Sequence, residues 1–131
     1  MNLKVGDTFA VTKEVTDELI RRFADVSGDR TPIHLDEEFA SKTRFGKRIA
    51  HGMLGASFIS AVLGYELSDR SIVYLSQTLK FIAPVYVGDI VTATAVVRSI
   101  REDKPILTIE TTVSSASGDC IVGEAKIMVL E

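Results

Sequence analysis

The chain has 131 residues, 46% of them hydrophobic and 25% charged, a balance that suits a folded globular unit and leaves no room for a disordered or low-complexity tract. Its 15 basic residues against 18 acidic ones give a net charge of −3, so the electrostatics offer nothing to nucleic acid. The single cysteine, Cys120, excludes an internal disulfide and fits a reducing compartment, and no apolar run suits a signal peptide or a membrane span; one cytoplasmic domain over residues 1–131 is expected.

Residues 9–15 alternate weakly and are read as a first strand. Thr16 reads as a helix N-cap, with Asp17 and Glu18 where the helix dipole favours negative charge. Leu19, Ile20, Phe23 and Val26 then share one face, and Gly28 stops the helix. Residues 29–48 read as irregular apart from a helical turn at 37–41. Over 50–67, AHGMLGASFISAVLGYEL, apolar or small residues cover nearly every side of a helix, which must be wrapped by other elements.

After it the period changes to two. Strands are expected over about 71–83, 89–101, 105–115 and 119–130. Leu107, Ile109, Thr111 and Val113 alternate with Ile106, Thr108, Glu110 and Thr112, the pattern of a half-buried strand. REDKP and SASGD supply reversals. Four long antiparallel strands leave one sheet face to cover, and the apolar helix is the natural cover. The expected architecture is α+β, a hot-dog fold with the sheet wrapped around a central helix.

The irregular segment holds the chemistry. SGDRTPIH, residues 27–34, sets Asp29 and His34 five positions apart with Pro32 stiffening the loop between them. Taken alone, such a pair is more often a turn acid and a surface histidine. The longer stretch SGDRTPIHLDEEFASKTRFGKRIAHGMLGASFISAVLG resembles the hydratase-2 motif of the MaoC-like dehydratases. GDIVTATAVVRSIREDKPILTIETTV and VGEAKIMVLE resemble later strands of the short (R)-specific enoyl-CoA hydratases that feed polyhydroxyalkanoate synthesis. Thr31 stands where that family usually has Asn.

The resemblance implies reversible hydration of a trans-2-enoyl-CoA to an (R)-3-hydroxyacyl-CoA. Water must lose a proton as it attacks C3, C2 must gain one, and the thioester oxygen must be stabilised. An acid and a histidine sharing one water can carry both proton transfers. Asp29 and His34 would form that dyad, with the assignment of base and acid open, and the Gly52 backbone N–H at the central helix start would hold the oxyanion. The alternatives are a 3-hydroxyacyl-[acyl carrier protein] dehydratase, an acyl-CoA thioesterase and a non-catalytic acyl-thioester-binding module. No cofactor or metal is expected; the partners are an acyl thioester and a second copy of the chain, in a homodimer paired sheet edge to sheet edge.

Other candidates have plainer readings. His51 reads as a helix-entry residue that shapes the site. Ser60 faces either an acyl tunnel or a neighbouring strand. Lys42, Arg44, Lys47 and Arg48 form a basic cluster that suits either carrier phosphates or a solvated loop. Asp36, Glu37 and Glu38 read as the acidic opening of the 37–41 turn, and Cys120 as a bystander.

Overall fold

In the computed structural model, which describes residues 3–67 and 71–130, β1 (Thr8–Glu14) leads into four helices, α1 (Asp17–Ser27), α2 (Pro32–Leu35), α3 (Glu37–Ser41) and α4 (Gly52–Glu66). Five strands follow: β2 (Ser71–Gln77), β3 (Lys80–Phe81), β4 (Ile90–Ile100), β5 (Ile106–Ser115) and β6 (Gly118–Leu130). They form one antiparallel sheet in the order β1-β4-β5-β6-β2, with β3 pairing to β6 off that path. This is the hot-dog arrangement.

The two-residue alternation decides which face of the sheet is inside. Leu107, Ile109, Thr111 and Val113 of β5 are buried as the pattern requires, in line with Val91, Ala93, Ala95 and Val97 of β4. The apolar positions meet Leu54, Phe58, Ile59, Val62 and Leu63 of α4 in a single core. Thr111, polar and fully buried, accepts a hydrogen bond from Gln77 Nε2 at 2.9 Å, which removes the penalty of its burial.

Four local expectations need correction. The 71–83 strand is two strands, because the chain steps at Thr78: its N–H and hydroxyl bond the backbone of Glu124, and its carbonyl lies where a Cβ on Gly123 would stand, 1.9 Å away. The 29–48 segment contains a second helix, α2, started by Pro32, whose fixed φ and missing N–H both suit a first helical turn. Val26 is exposed, so the buried face of α1 consists of Ile20 and Ala24 flanked by Leu19 and Phe23. Lastly, α4 is not wrapped on every side. Met53, Ser57, Ser60 and Gly64 form an exposed stripe at i, i+4, i+7 and i+11, so Ser60 faces neither a tunnel nor a strand. No described helix is long and apolar enough to cross a membrane.

Candidate active site

The site is assembled where α1 ends. Thr16 caps the helix, its hydroxyl accepting from Leu19 N at 3.1 Å, and Gly28 closes it in the left-handed region at φ 82 with its N–H donating to Ala24 O. That reversal delivers Asp29. Ser27 Oγ accepts from Asp29 N at 3.1 Å, and both the N–H (3.1 Å) and the hydroxyl (2.6 Å) of Thr31 donate to Asp29 Oδ1. The Thr31 hydroxyl, then its N–H, favour the ionised form and hold the carboxyl below its ordinary pKa. Oδ1 is thereby occupied, while Oδ2 faces His34 Nε2 at 4.0 Å.

His34 lies on α2 with its side chain only 12% exposed, against 47% for Asp29. Its Nδ1 sits 2.8 Å from Ile49 O; a carbonyl only accepts, so this nitrogen carries the proton. Burial lowers the imidazole pKa, the Ile49 contact and the Asp29 charge opposing it only partly. At neutral pH the ring is therefore uncharged, with the lone pair of Nε2 directed towards Asp29. A carboxylate and an imine-type nitrogen both accept, and neither donates. A water between them satisfies both, since two legs of about 2.8 Å across this gap meet at about 90°.

Two further groups hold the histidine. The buried His51 stacks on it with centroids 3.9 Å apart and planes 25° apart, and Phe23 of α1 packs against the other ring at 4.9 Å. His51 Nε2 is 2.8 Å from Asp29 O, so this nitrogen is the donor, tying the start of α4 to the dyad loop. Arg48 is only 9% exposed: its Nε donates to His34 O at 2.7 Å and its Nη2 to Asp17 Oδ1 at 2.6 Å. It is neither a solvated residue nor free for a phosphate, which corrects its place in the basic cluster. The Arg48 bond, reinforced by Arg21, lowers the pKa of Asp17.

A cavity of about 360 Å³ opens beside the dyad, lined by His34, His51, Gly52 and Gly55, by apolar side chains including Phe45, Phe81 and Ile121, and by Arg44. Gly52 is the first residue of α4, where a backbone N–H has no partner inside the helix, and His51, engaged with Asp29, makes no side-chain cap. The ring of Phe81 occupies the space a Cβ on Gly52 would fill, with ring carbons 2.8 and 2.9 Å from that position. The glycine thus lets an aromatic wall approach the amide. The three expected site residues, Asp29, His34 and Gly52, come together at one end of α4. Arg48, Thr31 and Phe81 complete the setting: Thr31, in the place of the family's usual Asn, keeps a hydroxyl for a local hydrogen bond, as its chemistry leads one to expect, whereas nothing in the sequence singles out Phe81.

Asp29, His34 and His51 also each offer one ligand atom, all within 4.8 Å of one another. In His51, Nε2 is committed as a donor to Asp29 O, while Nδ1 is buried and has no hydrogen-bond partner among the described residues. Asp36 caps α3 through Phe39 N (3.0 Å), so the acidic trio has the helix-opening role expected of it. Cys120 is a buried free thiol.

Fold and cavity together define a hot-dog protein with a polar dyad at the mouth of an apolar pocket. The MaoC like domain model matches residues 4–118. The chain is 44% identical to the (R)-specific enoyl-CoA hydratase of Rhodospirillum rubrum over 98% of its own length and 89% of that protein. It is 43% identical to the 3-hydroxybutyryl-CoA dehydratase of Methylorubrum extorquens over 98% and 82%. Among solved structures, the (R)-hydratase of Aeromonas caviae involved in PHA biosynthesis superposes with a TM-score of 0.95 at 40% identity, covering 99% of each chain. The chain belongs to the MaoC-like domain family, and like these relatives it is a hydro-lyase.

Proposed function

We propose that the chain is an (R)-specific enoyl-CoA hydratase, adding water syn and reversibly to a trans-2-enoyl-CoA, with Asp29 and His34 as the catalytic dyad and the Gly52 N–H as oxyanion donor. One observation carries this reading: an ionised carboxylate and the unprotonated Nε2 of a neutral imidazole face each other across 4.0 Å at the edge of an apolar cavity.

Such a pair accepts both hydrogens of one water and aims its oxygen at C3 of a bound enoyl group. As the C3–O bond forms, the water O–H bond breaks and its proton passes to the dyad. The π electrons move through C2 towards the thioester oxygen, where the Gly52 amide and the dipole of α4 stabilise the developing charge. The resting dyad has two acceptors and no donor, so the proton added to C2 is the one just taken from the water. Both additions then come from one side of the substrate, which makes the reaction syn. Dehydration retraces these steps.

The single buried thiol of Cys120 supports a reducing, cytoplasmic setting. A homodimer is supported by the edge of the sheet: β2 lies at the end of the strand order, and its Val73, Tyr74 and Leu75 are exposed on both faces. The decisive test of function is hydration of crotonyl-CoA to the R product by the purified protein, lost in Asp29→Asn.

A further inference from the structure

The basic residues before α4 separate into two kinds. Arg48 is buried and engaged with Asp17 and His34 O, and Lys42 is paired with Glu38 at 3.5 Å, one helical turn away. Arg44 and Lys47 are different. Both are exposed, and among the described residues neither has a carboxylate within ion-pair distance. Each cation is held over an aromatic ring instead: Arg44 is 4.9 Å from the Phe45 centroid and Lys47 4.6 Å from that of Tyr86. The Tyr86 hydroxyl donates to Phe45 O at 3.2 Å, which joins the two pairs into one unit. Arg44 and Phe45 both line the cavity that holds His34 and Gly52, and Arg44, being exposed, stands at its opening.

We propose that Arg44 and Lys47, braced on Phe45 and Tyr86, bind a phosphate of the pantetheine carrier whose acyl end reaches the dyad. This rests on the thioester reading above and deepens it. The aromatic faces hold the charged ends in place without using up their N–H donors, which reduces the entropy lost when an anion binds. A guanidinium presents paired donors that match phosphate oxygens, and an adjacent ammonium adds a point charge. In a chain of net charge −3, a local pair of cations at the entrance also draws a polyanionic ligand to the opening beside the dyad.

The test is a ratio of specificity constants, kcat/KM for crotonyl-CoA over that for crotonyl-pantetheine, which lacks phosphate. In Arg44→Ala this ratio falls about tenfold, with a smaller fall in Lys47→Ala and partial recovery in Arg44→Lys. Lys13→Ala, which removes the same charge from β1 outside the cavity, leaves it unchanged. Added salt lowers the wild-type ratio towards that of Arg44→Ala. A crotonyl-4′-phosphopantetheine arm separates the sources: dependence on Arg44 there assigns the phosphate common to coenzyme A and carrier proteins, and its confinement to crotonyl-CoA assigns the nucleotide phosphates. An unmoved ratio in Arg44→Ala, with the wild type hydrating both thioesters, overturns the proposal while leaving the hydratase reading standing. If the wild type hydrates neither, calorimetric titration with coenzyme A decides instead: a Kd equal in wild type and Arg44→Ala overturns it, and one weakened about tenfold upholds it.

Discussion

At the scale of single residues, the dyad is poised by small, local interactions. Thr31 is the clearest case, since its hydroxyl and N–H together hold one oxygen of Asp29 and leave the other to face His34. Thr31→Val removes the stronger of these bonds; activity on crotonyl-CoA falls about tenfold, while Thr31→Asn, which keeps a side-chain donor, retains most of it. The pH profile follows from the histidine. Its folded pKa lies below the ordinary value of 6.5, so the competent neutral ring persists at pH values where a free histidine is largely charged. On acidification the acid limb of kcat/KM is therefore centred below 6.5. The stability link has the same sign: a histidine that binds its proton less readily when folded contributes stability that is complete above 6.5 and is lost as pH falls through the lowered value. A profile of kcat/KM with its acid limb at or above 6.5 would show that burial does not control this ring.

At the scale of elements, glycines report how tightly parts are fitted. Gly123 of β6 faces the carbonyl of Thr78 so closely that any Cβ meets backbone, which cannot swing aside; Gly123→Ala is expected to cost about 3 kcal/mol or more in chemical denaturation. Gly64, near the end of α4, meets nothing within 4 Å, and Gly64→Ala is expected to stabilise the fold by about 0.5–1 kcal/mol. The reverse ranking would refute this account of the β2–β3 step and of the exposed helix stripe. These features also mark how far the sequence was legible. Asp29, His34 and Gly52 were singled out through the resemblance of residues 27–64 to the hydratase-2 motif, since an acid and a histidine in an irregular segment read on their own as a turn residue and a surface one; the structure brings the three to one end of α4. The strand alternation was plain, since burial on one face imposes it residue by residue. Arg48 could not be placed, because its partners lie 14 and 31 residues away and an arginine in a basic run looks solvated until the fold joins α1 to α2. The step at Thr78 and the Phe81 ring over Gly52 were hidden for the same reason: each depends on a contact between distant strands or between strand and helix, with no local signature.

At the scale of the whole molecule, the sheet ends on β2, an edge strand with apolar side chains on both faces, and α4 leaves a stripe uncovered. A second copy paired along β2 would satisfy the free edge. Sedimentation is accordingly expected to show a dimer at micromolar concentration, shifted towards monomer in Leu75→Lys; a wild-type protein that sediments as a monomer would contradict the proposed pairing. The central claim concerns chemistry, and one measurement tests it most directly: loss of the enoyl absorbance of crotonyl-CoA on mixing with the purified protein, beside Asp29→Asn and His34→Ala, with the configuration of the product determined. The account predicts a fall in absorbance giving (R)-3-hydroxybutyryl-CoA, slowed about 10²–10⁴-fold in either variant with the fold intact by circular dichroism. Undiminished rates in the two variants, or release of free thiol in place of hydration, would contradict it.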